Sequence, residues 1–327
     1  MTNVTILGTG TWGIALARLL VANGHRVSAW SKLESELEYL AKNAEHPNLK
    51  GVKLPDSICY HSDMAKALEG ADIVVMAVPS PFVRAVAKEA APYIDGKIVV
   101  DVAKGIEMQT NSTLSEVIKD EIPSARVVVL SGPTHAEEVA RDLPTTIVSA
   151  SEDEAAALTV QEVFSSSVFR VYTNSDVLGV EICGALKNII ALATGVATGL
   201  GFGDNARAAI ITRGIAEMAR LGKKMGCKRT TFAGLSGVGD LIVTCTSMHS
   251  RNNKAGILIG QGFSVKDAVE KVGMVVEGIN ALPAAIQLAK KYDTEMPIIF
   301  TLGEVIDGKL CPKDAIDVLM SRELTTE

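Results

Sequence analysis

Four residues interrupt an otherwise aliphatic run near the middle of the chain: Glu181, Gly184, Lys187 and Asn188. At about 3.6 residues per turn their spacing sets them on one face of a helix. A small polar face on a helix that is apolar all round should line a cleft. An ammonium buried there is costly unless paired or used, and burial draws its pKa down towards the range of a general acid or base. The alternative is a lysine snorkelling from a helix flank. Downstream, Gly234-Leu235-Ser236-Gly237-Val238-Gly239-Asp240-Leu241-Ile242 reads as a loop carrying one acid among glycines and aliphatics. Such a carboxylate needs a partner like Lys187 to stay charged. Ser250-Arg251-Asn252-Asn253-Lys254 gathers a hydroxyl, a guanidinium fork, amides and an ammonium within five residues. That set suits a small dianionic phosphate, although a solvated turn before a helix would look the same.

A second chemistry sits at the start of the chain. Gly8-Thr9-Gly10-Thr11-Trp12-Gly13 lies between an apolar strand, Val4 to Leu7, and a helix, Ile14 to Asn23, closed by Gly24. Gly8 permits a tight turn, Gly10 lets backbone approach a pyrophosphate, and Gly13 lets the helix pack on the strand. Unpaired N–H groups at the helix start add positive potential, so this is a dinucleotide site in its required context. Trp12 is either a lid over the cofactor or helix-start packing. The second strand, Val27 to Trp30, ends in Trp30-Ser31-Lys32, where an acid would normally bind the adenosine ribose. Ser31 and Glu34 fit a capping box, which occupies the nearest acid. Nothing therefore excludes NADP: Ser31 and Lys32 can take the extra phosphate and the Trp30 indole can stack near the adenine. An ordinary exposed helix start is the alternative for Lys32.

The elements that must position these groups follow from periodicity. Further strands are expected at Ile73 to Val78, Ile98 to Asp101, Val127 to Leu130, Thr146 to Ala150 and Phe169 to Tyr172. Helical stretches fall near residues 32–43, 63–69, 81–90, 112–119 and 152–163. The fold class is α/β: an N-terminal Rossmann doubly wound, mostly parallel sheet over residues 1–175, then an all-helical domain over 176–327. Ligands in such sheets sit beyond the carboxyl ends of the strands. Topology thus places Lys104, in Val102-Ala103-Lys104-Gly105, at the rim of the cofactor cleft, beside the turn Ser131-Gly132-Pro133-Thr134-His135-Ala136. Each of these could also be plain loop chemistry.

Composition bounds the function. At 327 residues with 47% hydrophobic and 4% aromatic residues, the chain has an aliphatic core of two-domain size. A net charge of −6 with no basic run argues against nucleic-acid or membrane-surface binding. Five scattered cysteines show no disulfide or metal-ligand spacing, so no metal site is expected and a reducing cytoplasm fits. No cleavable leader or membrane insertion is expected.

Taken together, Gly8-x-Gly10-x-Trp12-Gly13, Val102-Ala103-Lys104-Gly105, Ser131-Gly132-Pro133-Thr134, Gly184-Ala185-Leu186-Lys187-Asn188, Gly201-Phe202-Gly203-Asp204-Asn205-Ala206, Thr212-Arg213-Gly214, Gly239-Asp240-Leu241, Ser250-Arg251-Asn252 and Val276-Glu277-Gly278 resemble NAD(P)-dependent glycerol-3-phosphate dehydrogenase of the bacterial type. The matches run in order over all but the last forty or so residues. The resemblance implies reversible reduction of dihydroxyacetone phosphate to sn-glycerol 3-phosphate for phospholipid synthesis, with NADPH or NADH. It implies Lys187 as proton donor, with Lys104 and Asp240 completing the catalytic cluster. Substrate contacts would come from Lys104, Gly132, Thr134, Lys187, Asp240, Ser250, Arg251 and Asn252. The cofactor would meet Gly8, Gly10, Thr11, Trp12, Gly13, Ser31, Lys32, Lys104, Ala136, Arg251, Val275 and Glu277. A homodimer is the expected assembly. Thr134 and His135 stand where Ser and an aromatic are expected, and Trp30-Ser31-Lys32 lacks the arginine that some members carry. Two rivals are a ketopantoate or hydroxyisobutyrate reductase of the same architecture and a non-catalytic cofactor sensor.

Overall fold

The computed structural model describes residues 1–324 and Thr326, in two compact units. One unit comprises Met1–Lys104 and Ser112–Glu181, the other Gly105–Asn111 and Ile182–Glu327. The division thus falls six residues after the expected 175/176 boundary, and one short segment of the N-terminal half groups with the helices.

The first unit is built on eight strands: β1 (Asn3–Leu7), β2 (Arg26–Trp30), β3 (Cys59–His61), β4 (Ile73–Met76), β5 (Ile98–Asp101), β6 (Arg126–Ser131), β7 (Thr145–Ala150) and β8 (Phe169–Asn174). Its helices are α1 (Thr11–Ala22), α2 (Glu34–Asn43), α3 (Met64–Leu68), α4 (Val83–Ala90), α5 (Leu114–Glu121), α6 (Ala136–Val139) and α7 (Glu154–Phe164). The strand order is β3-β2-β1-β4-β5-β6-β7-β8. Every neighbouring pair is parallel except β6 and β7. This is the doubly wound sheet that the sequence predicts, with one strand more than its apolar runs show. Cys59-Tyr60-His61 in β3 is half-buried to exposed and gives no hydrophobic signal.

Residue type explains the layering. β4 and β5 read Ile-Val-Val-Met and Ile-Val-Val-Asp and are buried throughout, as strands covered on both faces require. Alternate side chains point to opposite faces. Ile73 and Val75 pack with Ile14, Leu16 and Leu20 of α1, whereas Val74 and Met76 pack with Val83 and Val86 of α4 and Val117 of α5. Edge strand β8 alternates instead, with Phe169 and Val171 buried and Arg170 and Tyr172 exposed. Strand order reverses between β1 and β4, which opens a crevice at their carboxyl ends. Gly8 stands there at φ +122°, and a Cβ on it would lie 2.6 Å from the carbonyl oxygen of Ala77, just past β4.

The second unit is helical: α8 (Val177–Gly199, which begins in the first unit), α9 (Asp204–Met225), α10 (Arg229–Phe232), α11 (Asp240–Thr246), α12 (Arg251–Gly260), α13 (Val265–Val272), α14 (Glu277–Lys291), α15 (Pro297–Ile306) and α16 (Pro312–Met320). By length and composition α8 could cross a membrane, but 83% of its most apolar window is buried within the protein. It is a core helix. Along α8 and α12, two glycine pairs bring backbone against backbone. A Cβ on Gly195 would stand 2.2 Å from the Asn253 carbonyl oxygen, and one on Gly256 2.1 Å from that of Leu192. One turn further, Gly199 and Gly260 repeat the contact at 2.2 Å from Ile257 and Val196.

One local feature departs from what the sequence predicts. Gly234 to Ile242 is no loop: Leu235–Gly239 forms a single π turn, closed by the Gly239 N–H donating to the Gly234 carbonyl at 3.2 Å, and runs straight into α11. The turn is held because Gly237 packs on the Phe232 backbone, where a Cβ would come within 2.0 Å of its carbonyl oxygen. Earlier in the chain, Glu217 of α9 is 3% exposed and caps α15, accepting from the N–H groups of Ile298 at 2.8 Å and Ile299 at 3.4 Å. Burial pushes this carboxyl up to about 7 against those two backbone bonds.

Candidate active site

In the first unit the glycine loop has the shape a dinucleotide needs. Gly10 caps α1 without a side-chain bond and no acid lies in the first turn, so the leading N–H groups keep their positive potential. A Cβ on Gly13 would sit 2.2 Å from the Gly8 carbonyl oxygen, while one on Gly10 would point into open space. Gly13 must therefore stay small for the protein's own packing, whereas Gly10 has open space beside it. Trp12 packs partly buried against the α1 core, in accord with the packing alternative. Thr11 accepts from Asn48 at 3.2 Å.

The end of β2 differs from its sequence reading. Trp30 is 2% exposed and its indole N–H donates to the Ser62 carbonyl at 3.0 Å, so the ring is core and unavailable to an adenine. Ser31 and Glu34 form no capping box. The residue capping α2 is Leu33, the Ser31 hydroxyl donates to Glu36 at 3.1 Å, and Glu34 meets Ser62. Lys32 pairs with Glu89 at 2.5 Å.

At the ends of β5 and β6, Lys104 and the turn from Gly132 to Thr134 come together. The Lys104 ammonium donates to the Gly132 carbonyl at 2.9 Å and lies 3.5 Å from the Thr134 hydroxyl, which itself donates to Gly132 at 3.0 Å. Gly132 is tight, since a Cβ there would be 3.1 Å from the Ile147 Cα. Ala136 opens α6, packed against the same core as Trp12. Asp101, which closes β5, is fully buried; one oxygen accepts from the Ala103 N–H at 3.0 Å and the other has no partner among the described residues. Burial, with the Glu181 carboxyl adding to it, holds Asp101 well above the usual carboxylate range. Glu181 belongs to this unit, bonded to the Ser115 N–H and hydroxyl at 2.8 and 2.6 Å. It therefore serves α5 and leaves the polar stripe of α8 to Gly184, Lys187 and Asn188.

In the second unit Lys187 is 6% exposed and no snorkelling side chain. Its ammonium donates to Asp240 at 2.6 Å and to the Thr244 hydroxyl at 2.7 Å, and Thr244 in turn donates to the Asp240 carbonyl at 2.6 Å. Asp240, 1% exposed at the start of α11, is the counter-charge that an ammonium at this depth requires. Thr244 escapes the sequence reading; its position four residues after Asp240, on the same helix face, is the signal. The Cys245 thiol lies in the electrostatic reach of both charges, yet burial pushes it up to about 12, which removes it as a nucleophile.

The phosphate candidates separate by role. Ser250 caps α12, accepting from the Asn253 N–H at 3.2 Å. Asn252 ties three helices together: it donates to Asn188 at 2.9 Å and accepts from the Gly278 N–H at 2.8 Å. Arg251, the first residue of α12, is exposed and has no hydrogen-bond or ion-pair partner among the described residues. A cation at a helix N-terminus works against the macrodipole, and an anion bound there would reconcile the two. Val275 is half-buried and Glu277 opens α14.

Comparison with known proteins matches both halves of the chain. Residues 3–157 match the family profile described as NAD-dependent glycerol-3-phosphate dehydrogenase N-terminus, and residues 176–317 match the corresponding C-terminus. A glycerol-3-phosphate dehydrogenase [NAD(P)+] of Lactobacillus delbrueckii subsp. bulgaricus is 56% identical, covering 100% of this chain and 99% of its own. That of Bacillus subtilis is 50% identical, covering 100% and 96%. Among solved structures, glycerol-3-phosphate dehydrogenase from Coxiella burnetii superposes with a TM-score of 0.94 at 36% identity, covering 98% of this chain and 99% of its own.

Proposed function

The chain belongs to the NAD-dependent glycerol-3-phosphate dehydrogenase family, and from that premise we propose how its residues carry the reaction. It is an NAD(P)-dependent oxidoreductase interconverting dihydroxyacetone phosphate and sn-glycerol 3-phosphate. The observation that carries the assignment of roles is the buried Lys187–Asp240–Thr244 cluster.

The first unit fits the cofactor, because Gly10 faces open space at an uncapped helix start. NADH or NADPH would be held by Gly8, Gly10, Thr11, Trp12 and Gly13, with Ser31 and Lys32 towards the adenosine and Lys104, Ala136, Arg251, Val275 and Glu277 as further contacts. When bound, the nicotinamide supplies or accepts the hydride. Lys187 gives a proton to the carbonyl oxygen as the alcohol forms; in the reverse direction its amine takes that proton back. Asp240 and Thr244 hold Nζ in place, and the Lys104 ammonium stabilises the developing alkoxide. Arg251 takes the phosphate through its planar fork; Gly132 and Thr134 are further substrate contacts, as the resemblance implies. Ser250 and Asn252 are committed to the protein through acceptor and single-donor contacts, so each retains an N–H or O–H for substrate.

Full-length matches to both halves of one family leave the ketopantoate, hydroxyisobutyrate and cofactor-sensor readings without support. The product would feed glycerophospholipid synthesis, and we place the enzyme in the cytoplasm, a location supported by five scattered cysteines without disulfide spacing. We propose a homodimer, as the family resemblance implies. Reduction of dihydroxyacetone phosphate, followed by loss of reduced-nicotinamide absorbance with each cofactor, tests the assignment. Absence of turnover with both would refute it.

A further inference from the structure

Cofactor choice is read at the adenosine ribose, where the sequence offers Trp30, Ser31 and Lys32; in the structure the Trp30 ring is in the core, the Ser31 hydroxyl is on Glu36 and Lys32 pairs with Glu89 at the surface. What stands there instead is Glu36. Its Oε2 accepts from the Thr9 hydroxyl at 2.9 Å and from the Ser31 hydroxyl at 3.1 Å. Thr9 is the middle residue of Gly8-Thr9-Gly10 and Ser31 directly follows β2, so one carboxylate bridges the two loops over which a dinucleotide with its pyrophosphate on α1 must lay its ribose. Oε1 has no partner among the described residues, and Glu36 is exposed. It also lines a cavity of about 270 Å³ with Thr9, Tyr39, His46 and Asn48.

We propose that Glu36 sets the balance between NADH and NADPH, its free oxygen accepting from the ribose 2′-hydroxyl and its charge opposing a 2′-phosphate. The inference rests on the dinucleotide reading of the glycine loop. Both hydroxyls that Glu36 holds donate to Oε2, which fixes the side chain while leaving Oε1 as an acceptor. Lys32 pairs with Glu89 at the exposed surface, so its attraction for a phosphate is shared with a neighbouring carboxylate and is screened by salt. A carboxylate several ångströms from a dianionic phosphate in a solvated site weakens its binding roughly tenfold. Because the group is exposed, that penalty fades as salt rises.

A charge ladder at this position separates electrostatics from structure. Isothermal titration of the full-length protein with adenosine 5′-phosphate and adenosine 2′,5′-bisphosphate reads the site without turnover. Relative affinity for the bisphosphate should rise roughly tenfold in Glu36→Gln and again in Glu36→Lys. The ratio of kcat/KM for NADPH over NADH should climb in the same order, and wild-type discrimination should diminish with added salt. Ratios within about twofold of wild type in both variants would overturn the proposal. Failure of the wild-type protein to bind either nucleotide would instead sink the dinucleotide reading on which it rests.

Discussion

Glu217 gives the helical unit a pH dependence that can be worked from one number. Its carboxyl titrates at about 7 in the folded protein against an ordinary value of 4.5. Between those values the folded chain holds a proton that the unfolded chain has released. Unfolding therefore releases a proton, and raising the pH favours it. The contribution is fully present below the unfolded value and is lost as pH climbs through about 7. Each pH unit between the two values is worth about 1.36 kcal/mol, so the loss comes to about 3 kcal/mol. Protonated Glu217 and a glutamine offer the same single carbonyl acceptor to the α15 N–H groups. Glu217→Gln should therefore match wild type at about pH 5 and exceed it by about 3 kcal/mol at about pH 8. Urea unfolding of both proteins, followed by far-ultraviolet circular dichroism at the two pH values, measures this. Comparing variant with wild type cancels the buried Asp101 and Glu181, whose carboxyls are also pushed up. A difference that stays constant from about pH 5 to about pH 8 would refute the reasoning, because Glu217 would then titrate as an ordinary surface acid.

Lys187→Met should lower kcat by roughly a hundredfold or more while cofactor binding, measured by titration, stays near wild type. A variant retaining a third of wild-type turnover would remove Lys187 from the chemistry. Arg251→Lys should raise KM for dihydroxyacetone phosphate roughly tenfold or more, since an ammonium cannot reproduce the fork. Unphosphorylated dihydroxyacetone should lose far less, and equal losses would assign Arg251 to another task. Gly256→Ala places a methyl 2.1 Å from the Leu192 carbonyl oxygen and should cost about 1–3 kcal/mol or more. An unchanged melting temperature would show that the α8–α12 seam yields more readily than its geometry implies.

The sequence is most legible where burial and charge make a single demand. Asp240 among aliphatics needs a cation, Lys187 on an apolar helix needs an anion, and they meet at 2.6 Å. Lys104, Gly132 and Thr134 are likewise brought together by strand order alone. Legibility fails where a local rule competes with a tertiary contact. Ser31 and Glu34 satisfy the capping-box spacing, but Thr9 draws Glu36 towards the glycine loop and Ser31 joins it. Trp30 ends a strand and so reads as open to a ligand, although β2 lies inside the sheet and its ring fills the core beside Leu7 and Met64. The π turn before Asp240 depends on the Phe232 backbone against which Gly237 rests, a partner that spacing does not reveal.

The glycine seam between α8 and α12 acts as a caliper. On the proposed reading one jaw carries Lys187, at the oxygen that gains a proton, and the other carries Arg251, at the phosphate. Their opening is set by main chain touching main chain at Gly195, Gly199, Gly256 and Gly260, with no side chain in between to trim or extend. Widening the gap by one carbon would mean prising apart both helices along two turns, at the cost in stability expected of Gly256→Ala. Side chains around the reacting carbon can vary without moving the jaws. Laboratory selection on this scaffold should therefore yield enzymes for altered head groups sooner than enzymes for longer phosphorylated ketones.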